Sequence, residues 1–210
     1  MIKVLIADDH PVVREGLKQI ISKADDMDVA GEALDCREVI ELVEKEDWDV
    51  VVMDLNMPGK DGLELLKDLK CMKPDLSILV LSMFPEEQFG VRTFKLGASG
   101  YMNKETAPKE LVNAIRKIHS GGKYVSAALA EKLVAGLEDG SDKNVQDLLS
   151  DREFQVLRLI ASGKDVDEIA EELFISVKTV RTYRDRILEK MKLKNNVEIA
   201  HYALKNKLLE

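Results

Sequence analysis

The chain has no long apolar run. Nothing in its 210 residues approaches the roughly 18 consecutive apolar residues of a membrane span, and Met1 opens straight into a strand-like stretch where a signal peptide would otherwise stand. This argues against a membrane partner and for a cytoplasmic protein. Cysteine is scarce. Cys36 and Cys71 fall in separate helical patterns without metal-type spacing, which speaks against a disulfide framework or a thiolate metal site and fits a reducing compartment. No glycine fingerprint of the dinucleotide or P-loop kind follows the first apolar stretch, so the commonest nucleotide-binding readings have no support. Net positive charge is missing too. At −8, the chain as a whole should not cling nonspecifically to nucleic acid.

The charge that is present is unevenly spread. Residues 148–210 carry 12 Lys+Arg against 11 Asp+Glu, whereas the rest carries 19 against 28. Between 176 and 194 stand seven bases (Lys178, Arg181, Arg184, Arg186, Lys190, Lys192, Lys194) and two acids (Asp185, Glu189). An acidic first part joined to a part with a local basic stripe suggests two jobs. A chain of this length has room for two small domains, and its 45% hydrophobic content supplies cores for both.

In the first part, short apolar runs alternate with helical patterns. Strands are expected at Ile2–Ala7, Val29–Ala33, Val50–Met53, Leu76–Leu81 and Ser99–Met102. Helices are expected from Pro11, over 36–46, at Leu63–Met72, at Glu86–Leu96 closed by Gly97, and from Thr106 to Gly121-Gly122. Five strands alternating with five helices predict a parallel sheet covered on both faces. Residues 123–147 differ: Ala127–Leu137 reads as a helix and EDGSDKN as a linker. Four short helical patterns follow. Ser150 with Glu153 and Asn195 with Glu198 make capping boxes, and Ser176 caps the third helix. Helices this short must share one core. Its expected members are Phe154, Leu157, Ile160, Ile169, Leu173, Ile175, Val180, Ile187, Leu188, Val197 and Ala200. The division expected is 1–122, a linker at 123–147, and 148–210.

A parallel sheet puts all its carboxyl ends on one edge, where open α/β sheets keep their ligands. Asp8 and Asp9, Asp54, Ser82 and Lys104 would meet there. The carboxylate of Asp54 is then a cation ligand, a nucleophile, or both. Three acids in one pocket repel unless a cation neutralises them. The ligands are hard oxygens, which favours Mg²⁺ over zinc. A carboxylate beside Mg²⁺ can attack phosphorus, with the metal and a lysine offsetting charge on the transferring group. His10 next to these acids reads, with Pro11, as helix-start geometry and not as a metal ligand.

These residues resemble the receiver domain of bacterial two-component response regulators. The resemblance is carried by Asp8-Asp9, the run Asp54-Leu55-Asn56-Met57-Pro58-Gly59-Lys60-Asp61-Gly62, Ser82, Tyr101 and Lys104. It implies a doubly wound α/β fold with strand order 2-1-3-4-5, and Asp54 as the phosphoacceptor. It also implies Mg²⁺ held by Asp9, Asp54 and the backbone carbonyl of Asn56 with Asp8 in support, Lys104 on the phosphoryl group, and Ser82 and Tyr101 as the switch pair. Glu105 stands where many receivers have proline.

On a helical wheel from Val177, Val180, Ile187, Leu188 and Met191 form an apolar stripe with it, and Lys178, Arg181, Thr182 and Asp185 form a second face. Such a helix start can enter a major groove, and the short helix before it completes a helix-turn-helix. Residues 148–208 are similar to the LuxR/FixJ-type DNA-binding domain, through Leu149-Ser150-Asp151-Arg152-Glu153, Ala161-Ser162-Gly163, Glu168-Ile169-Ala170, Leu173-Phe174-Ile175-Ser176 and Lys178-Thr179-Val180. Both halves together resemble the NarL/FixJ family. The resemblance implies base contacts from Arg181, Thr182 and Asp185, and phosphate contacts from Lys178, Thr179, Arg184 and Lys194. Asp185, Arg184 and Tyr183 depart from residues frequent at those positions.

The expected function is a transcription regulator, not an enzyme. A sensor histidine kinase phosphorylates Asp54, the receiver releases the helix 177–191, and a homodimer binds double-stranded DNA. RNA polymerase is a further partner, and Val197, Ala200, Tyr202 and Ala203 are the expected dimer surface. An aspartyl-phosphate hydrolase would need a second acid where Asn56 stands. A phosphorylation-independent regulator would leave the acid set unexplained. A protein-binding helical module would fail to shift genomic DNA fragments.

Overall fold

The computed structural model describes residues 1–58, 60, 62–83, 86–127, 129–131, 149–206 and 208–209. The chain divides into two compact units, Met1–Leu137 and Glu138–Glu210.

The first unit is a five-stranded parallel sheet. In chain order it runs β1 (Ile2–Ala7), α1 (Pro11–Ile21), β2 (Met27–Ala33), α2 (Cys36–Lys45), β3 (Val50–Asp54), α3 (Gly62–Met72), β4 (Ser77–Ser82), α4 (Glu86–Lys95), β5 (Gly100–Asn103) and α5 (Ala107–His119). The strand order is β2-β1-β3-β4-β5. Central strand β3, VVVMD, is buried at every residue, as a strand covered on both faces must be. Side chains alternate between the two faces. Val4, Ile6, Val50, Val52, Leu79, Leu81 and Met102 pack with Leu17 and Ile21 of α1 and Leu111, Ile115 and Ile118 of α5. Their neighbours Leu5, Val51, Met53, Ile78 and Val80, also buried, therefore point to the opposite side. Right-handed crossovers place α2, α3 and α4 there.

Register sets the functional edge. Ala7 pairs with Met53, Asp54 with Leu81, and Ser82 with Asn103, so the residues just past each pair share one rim. Helix ends follow local chemistry. Asp35 caps α2 by accepting from Glu38 N–H. Gly97 and Gly121 take positive φ (100° and 84°) where α4 and α5 stop. The first unit continues past α5. Tyr124 makes a parallel bridge beside Gly100, Ser126 N–H donates to Glu86 Oε1 at 3.1 Å, and Leu129 is buried. Most of the helix expected over 127–137, and the EDGSDKN stretch, lie outside the described residues.

The second unit contains α6 (Asp151–Ala161), α7 (Val166–Glu172), α8 (Val177–Met191) and α9 (Asn196–Lys205). Leu149, Phe154, Val156, Leu157, Ile160, Ile169, Ala170, Val180, Ile187, Met191, Ile199 and Ala203 are its buried apolar residues among those described, with Leu208 closing the end. Leu173, Ile175, Leu188 and Ala200 are only half-buried. Val197 is not a core residue: it is 76% exposed. The inward positions of α9 are Ile199 and Ala203, four apart on one face, and Val197 lies off that face. Ala203, expected on a dimer surface, is fully buried, while Leu204 stands 66% exposed.

The capping box of Ser150 and Glu153 is present in both directions. Its carboxylate is buried and also pairs with Lys190 Nζ at 2.6 Å, joining the start of α6 to the end of α8. Burial pushes the Glu153 carboxyl up, but Lys190 and Ser150 outweigh it and hold it below the usual carboxylate range. The Asn195 box is only half made: Asn195 accepts from Glu198 N–H, but Glu198 reaches back to Lys194 N–H instead. A third box, Asp165 with Glu168, caps α7. It has aspartate where the usual capping-box pattern has serine or threonine.

Candidate phosphoacceptor and nucleic-acid sites

The carboxyl edge of the sheet gathers the expected residues. Asp8 follows β1, Asp54 ends β3, Ser82 ends β4 and Lys104 follows β5. All but Lys104 are at most 2% exposed. Lys104 Nζ lies 2.7 Å from Asp54 Oδ2 and 2.6 Å from Asp8 Oδ2, so one ammonium bridges two buried acids. The first contact is a hydrogen bond. The second is close enough for an ion pair but is not aligned as a hydrogen bond, which leaves Asp8 Oδ2 without a directed donor. Asp54 Oδ1 accepts from Asn56 N–H at 3.1 Å, and Asp8 Oδ1 from His10 N–H at 2.9 Å. The Lys104 N–H donates to the Ser82 carbonyl at 2.9 Å, tying the lysine to the end of β4.

Electrostatics follow from this packing. Burial raises the pKa of Asp54, opposed by Lys104 and the Asn56 N–H and reinforced by Asp8. Burial alone would lower Lys104, but Asp54 and Asp8 outweigh it and the net shift is upward. One cation among Asp8, Asp9 and Asp54 leaves excess negative charge. Ligand atoms of Asp8, Asp9, His10 and Asp54 lie within 4.8 Å of one another, so the cluster can hold a metal ion. Asp8 Oδ2 and Asp9 Oδ1 are buried without hydrogen-bond partners among the described residues, and a cation fits that lack.

The structure brings His10 closer than the helix-start reading alone implies. The residue does precede Pro11 at the start of α1, but its Nδ1 sits 2.7 Å from Asp9 Oδ1. Arg14, unmarked by any motif, donates from Nη1 to the Asp8 carbonyl at 2.8 Å and steadies the acidic turn. Tyr101 is buried in β5, and by alternation it faces the α4 side, opposite Met102. No cis peptide occurs among the described residues, Glu105 included. The motif glycine Gly62 has a steric cause. A Cβ there would lie 2.4 Å from the Leu55 carbonyl oxygen, so α3 starts against the loop that follows Asp54 only because position 62 has no side chain.

In the second unit, Ser176 caps α8 by accepting from Thr179 N–H at 3.1 Å. The Thr179 hydroxyl joins the same cap at 2.8 Å, and Thr182 Oγ1 donates to the Lys178 carbonyl at 3.0 Å. Lys178, Arg181, Thr182 and Asp185 are exposed on α8, and Lys194 is exposed beyond it. Arg184 is half-buried. Its Nε donates to Asn196 Oδ1 at 2.6 Å and its Nη1 pairs with Asp185 Oδ1 at 3.1 Å, so its head is already engaged within the unit. A capped helix presenting exposed bases and hydroxyls after a short helix and a tight turn is the helix-turn-helix arrangement.

Sheet, acid cluster and helix-turn-helix together define a signal-receiving domain joined to a DNA-binding one, and comparison with known proteins agrees. Residues 4–116 match the response regulator receiver domain, and residues 147–203 match the bacterial regulatory proteins of the luxR family. The oxygen regulatory protein NreC of Staphylococcus carnosus is 38% identical over 215 residues, covering 99% of each chain. The response regulator GacA of Pseudomonas aeruginosa is 37% identical, covering 100% of this chain and 99% of its own. Among solved structures, RcsB of Salmonella enterica bound to promoter rprA with the phosphomimetic BeF3⁻ superposes with a TM-score of 0.66. That structure is 33% identical, over 96% of this chain and 98% of its own. The chain belongs to the NarL/FixJ family of two-component response regulators, DNA-binding transcription regulators governed by phosphorylation. They are not enzymes of the ordinary kind. No helix among the described residues is long and apolar enough to cross a membrane.

Proposed function

We propose that Asp54 is the phosphoacceptor of this cytoplasmic regulator and that a sensor histidine kinase supplies the phosphoryl group. The observation that carries this reading is the Lys104 ammonium, 2.7 Å from Asp54 and 2.6 Å from Asp8 at the sheet edge. A carboxylate oxygen of Asp54 attacks phosphorus in line. The new P–O bond forms as the P–N bond of a phosphohistidine breaks, and the imidazole leaves with the bonding pair and takes up a proton. Lys104 stays beside the transferred group and offsets its charge. Asp8, Asp9, Asp54 and the Asn56 carbonyl would hold Mg²⁺, whose chemistry when bound is to neutralise charge on the phosphoryl oxygens. The buried, undonated oxygens of Asp8 and Asp9 support that assignment.

Phosphorylation adds roughly two negative charges to Asp54. The Ser82 hydroxyl then turns to a phosphoryl oxygen and Tyr101 follows toward the space Ser82 leaves. The domains are taken as 1–122, a linker at 123–147 and 148–210, and phosphorylation of the first promotes DNA binding by the second as a homodimer. Two copies suit two half-sites. On the DNA, Arg181, Thr182 and Asp185 face base edges, while Lys178, Thr179, Arg184 and Lys194 face phosphates, Arg184 after leaving Asn196. Exposed Val197 and Leu204 on α9 supply apolar surface for the pairing. Incubation with a small acyl phosphate and Mg²⁺ should add one phosphoryl mass increment to the intact protein and strengthen its binding to genomic fragments. Asp54→Asn should abolish both effects. Persistence of either in that variant excludes Asp54 as the acceptor.

A further inference from the structure

Helix α1 starts without help from the side chain at its N-cap. His10 holds the cap position in extended backbone, yet its ring makes no capping hydrogen bond. Serine, threonine, aspartate and asparagine are the usual residues there, because their short side chains reach the free N–H groups. The imidazole turns toward the acids instead. Its Nδ1 lies 2.7 Å from Asp9 Oδ1 and 3.3 Å from Asp8 Oδ1. The shorter contact is not aligned as a hydrogen bond: Asp9 Oδ1 is buried without a hydrogen-bond partner among the described residues. A ring nitrogen and a carboxylate oxygen this close, with no proton directed between them, are two lone-pair atoms facing one point. Neighbouring donors on an octahedral ion with bonds of about 2.1 Å stand about 3 Å apart. The two distances from His10 Nδ1 bracket that spacing.

Charge points the same way. Asp8, Asp9 and Asp54 face one ammonium, Lys104, which meets Asp8 and Asp54 at their Oδ2 atoms. The positive charge still missing is that of one divalent ion. Asp8 is 1% exposed and its Oδ2 has no directed donor, so the cluster is built into the fold and short of a partner. Ligand atoms of His10 and the three acids lie within 4.8 Å of one another. A nitrogen among them changes which ion is preferred. Mg²⁺ takes oxygen ligands and readily keeps water in any remaining position. First-row transition ions of the same charge accept imidazole as well, and affinity rises along the series that begins with Mn²⁺.

We propose that His10 is a nitrogen donor to the divalent ion at the acid cluster, and that it makes this site favour a first-row transition ion over Mg²⁺. The proposal rests on the acid cluster being a cation site, and the experiment separates the two. The full-length, unphosphorylated protein is titrated with Mn²⁺, with free ion read from its electron paramagnetic resonance signal, and Mg²⁺ affinity is measured by displacement. Electron spin-echo modulation of the bound Mn²⁺ then reads coupling to a ligand nitrogen. Wild type should show that coupling and hold Mn²⁺ at least about tenfold more tightly than Mg²⁺. His10→Ala should lose the coupling and about tenfold or more in Mn²⁺ affinity, the scale on which even outer-shell partners of a ligand act. Its Mg²⁺ affinity should stay within about twofold, since water takes the vacated position. His10→Asn, which offers an amide oxygen near the place of Nδ1, should likewise lose the coupling and keep Mg²⁺. The His10 side chain is 63% exposed, so neither variant leaves a cavity in a core. A wild type that binds neither ion ends the cation reading, and this proposal with it. Bound Mn²⁺ without nitrogen coupling, or coupling that survives in His10→Ala, overturns the proposal alone. Equal losses of Mn²⁺ and Mg²⁺ affinity in His10→Ala also overturn it, because the ring would then only position the acids.

Discussion

In the first unit most of the side chains assigned to phosphoryl chemistry are inside: Asp8, Asp54, Ser82 and Tyr101 are each 2% exposed or less. In the second unit the residues assigned to DNA, among them Lys178, Arg181, Thr182 and Asp185, stand on the surface. A phosphoryl group is small and its recognition needs charges held rigidly in a low-dielectric pocket. A duplex is large and is met by side chains that reach outward. Function and fold stability are therefore coupled in the first unit and separable in the second.

The sharpest test of that contrast is Lys104→Met. It removes the ammonium that bridges two buried acids, and breaking one side of a buried ion pair costs about 3–5 kcal/mol. Denaturant unfolding without divalent cations should show a loss of this order in the first unit, and added Mg²⁺ should restore part of it by neutralising the same acids. A variant as stable as the wild type would mean that the acids are not held by Lys104.

Arg181→Ala probes the other side. The residue is exposed and makes no side-chain hydrogen bond or ion pair among the described residues, so stability should stay within about 0.5 kcal/mol. Affinity for a selected fragment should fall by about 1–3 kcal/mol, with relaxed preference at one base position. An equal loss on every sequence would instead make Arg181 a phosphate contact.

This contrast also governs how much could be read from sequence. The buried site was legible because strand ends bring distant residues to one edge. Asp8, Asp54, Ser82 and Lys104 stand at such ends, so the strand pattern alone places them together. The helix order and the Ser150 and Ser176 caps were legible for a similar reason, since each is a local pattern. Contacts set by packing were not. Arg14 reaches the Asp8 carbonyl from a helix with no motif, and the need for Gly62 arises from the Leu55 backbone that only the folded loop brings near. Val197 shows the same limit in the second unit. Apolar spacing marks a face, but in a helix of ten residues two faces are nearly as apolar, and only the fit against α6 selects Ile199 and Ala203. Tyr124 and Leu129 looked like the start of a linker because their partners, Gly100 and Gly90, lie in strand and helix far back in the chain.

The smallest expected effect tests separability most directly. Lys192 ends α8 in the left-handed region, with Leu193 N–H bonded to the Leu188 carbonyl at 2.9 Å, and its side chain is exposed. Glycine at that position would remove the Cβ penalty without disturbing a packed contact. Lys192→Gly should therefore raise the stability of the second unit by about 0.5–1 kcal/mol in urea unfolding. If the ammonium meets a phosphate, the same variant should bind DNA more weakly, and its salt dependence should fall by about one unit of slope. A gain in stability beside a loss in affinity is what a surface kept for its ligand predicts. A loss in stability would mean that Lys192 serves the fold, and the distinction between the two units would not extend to the ends of α8.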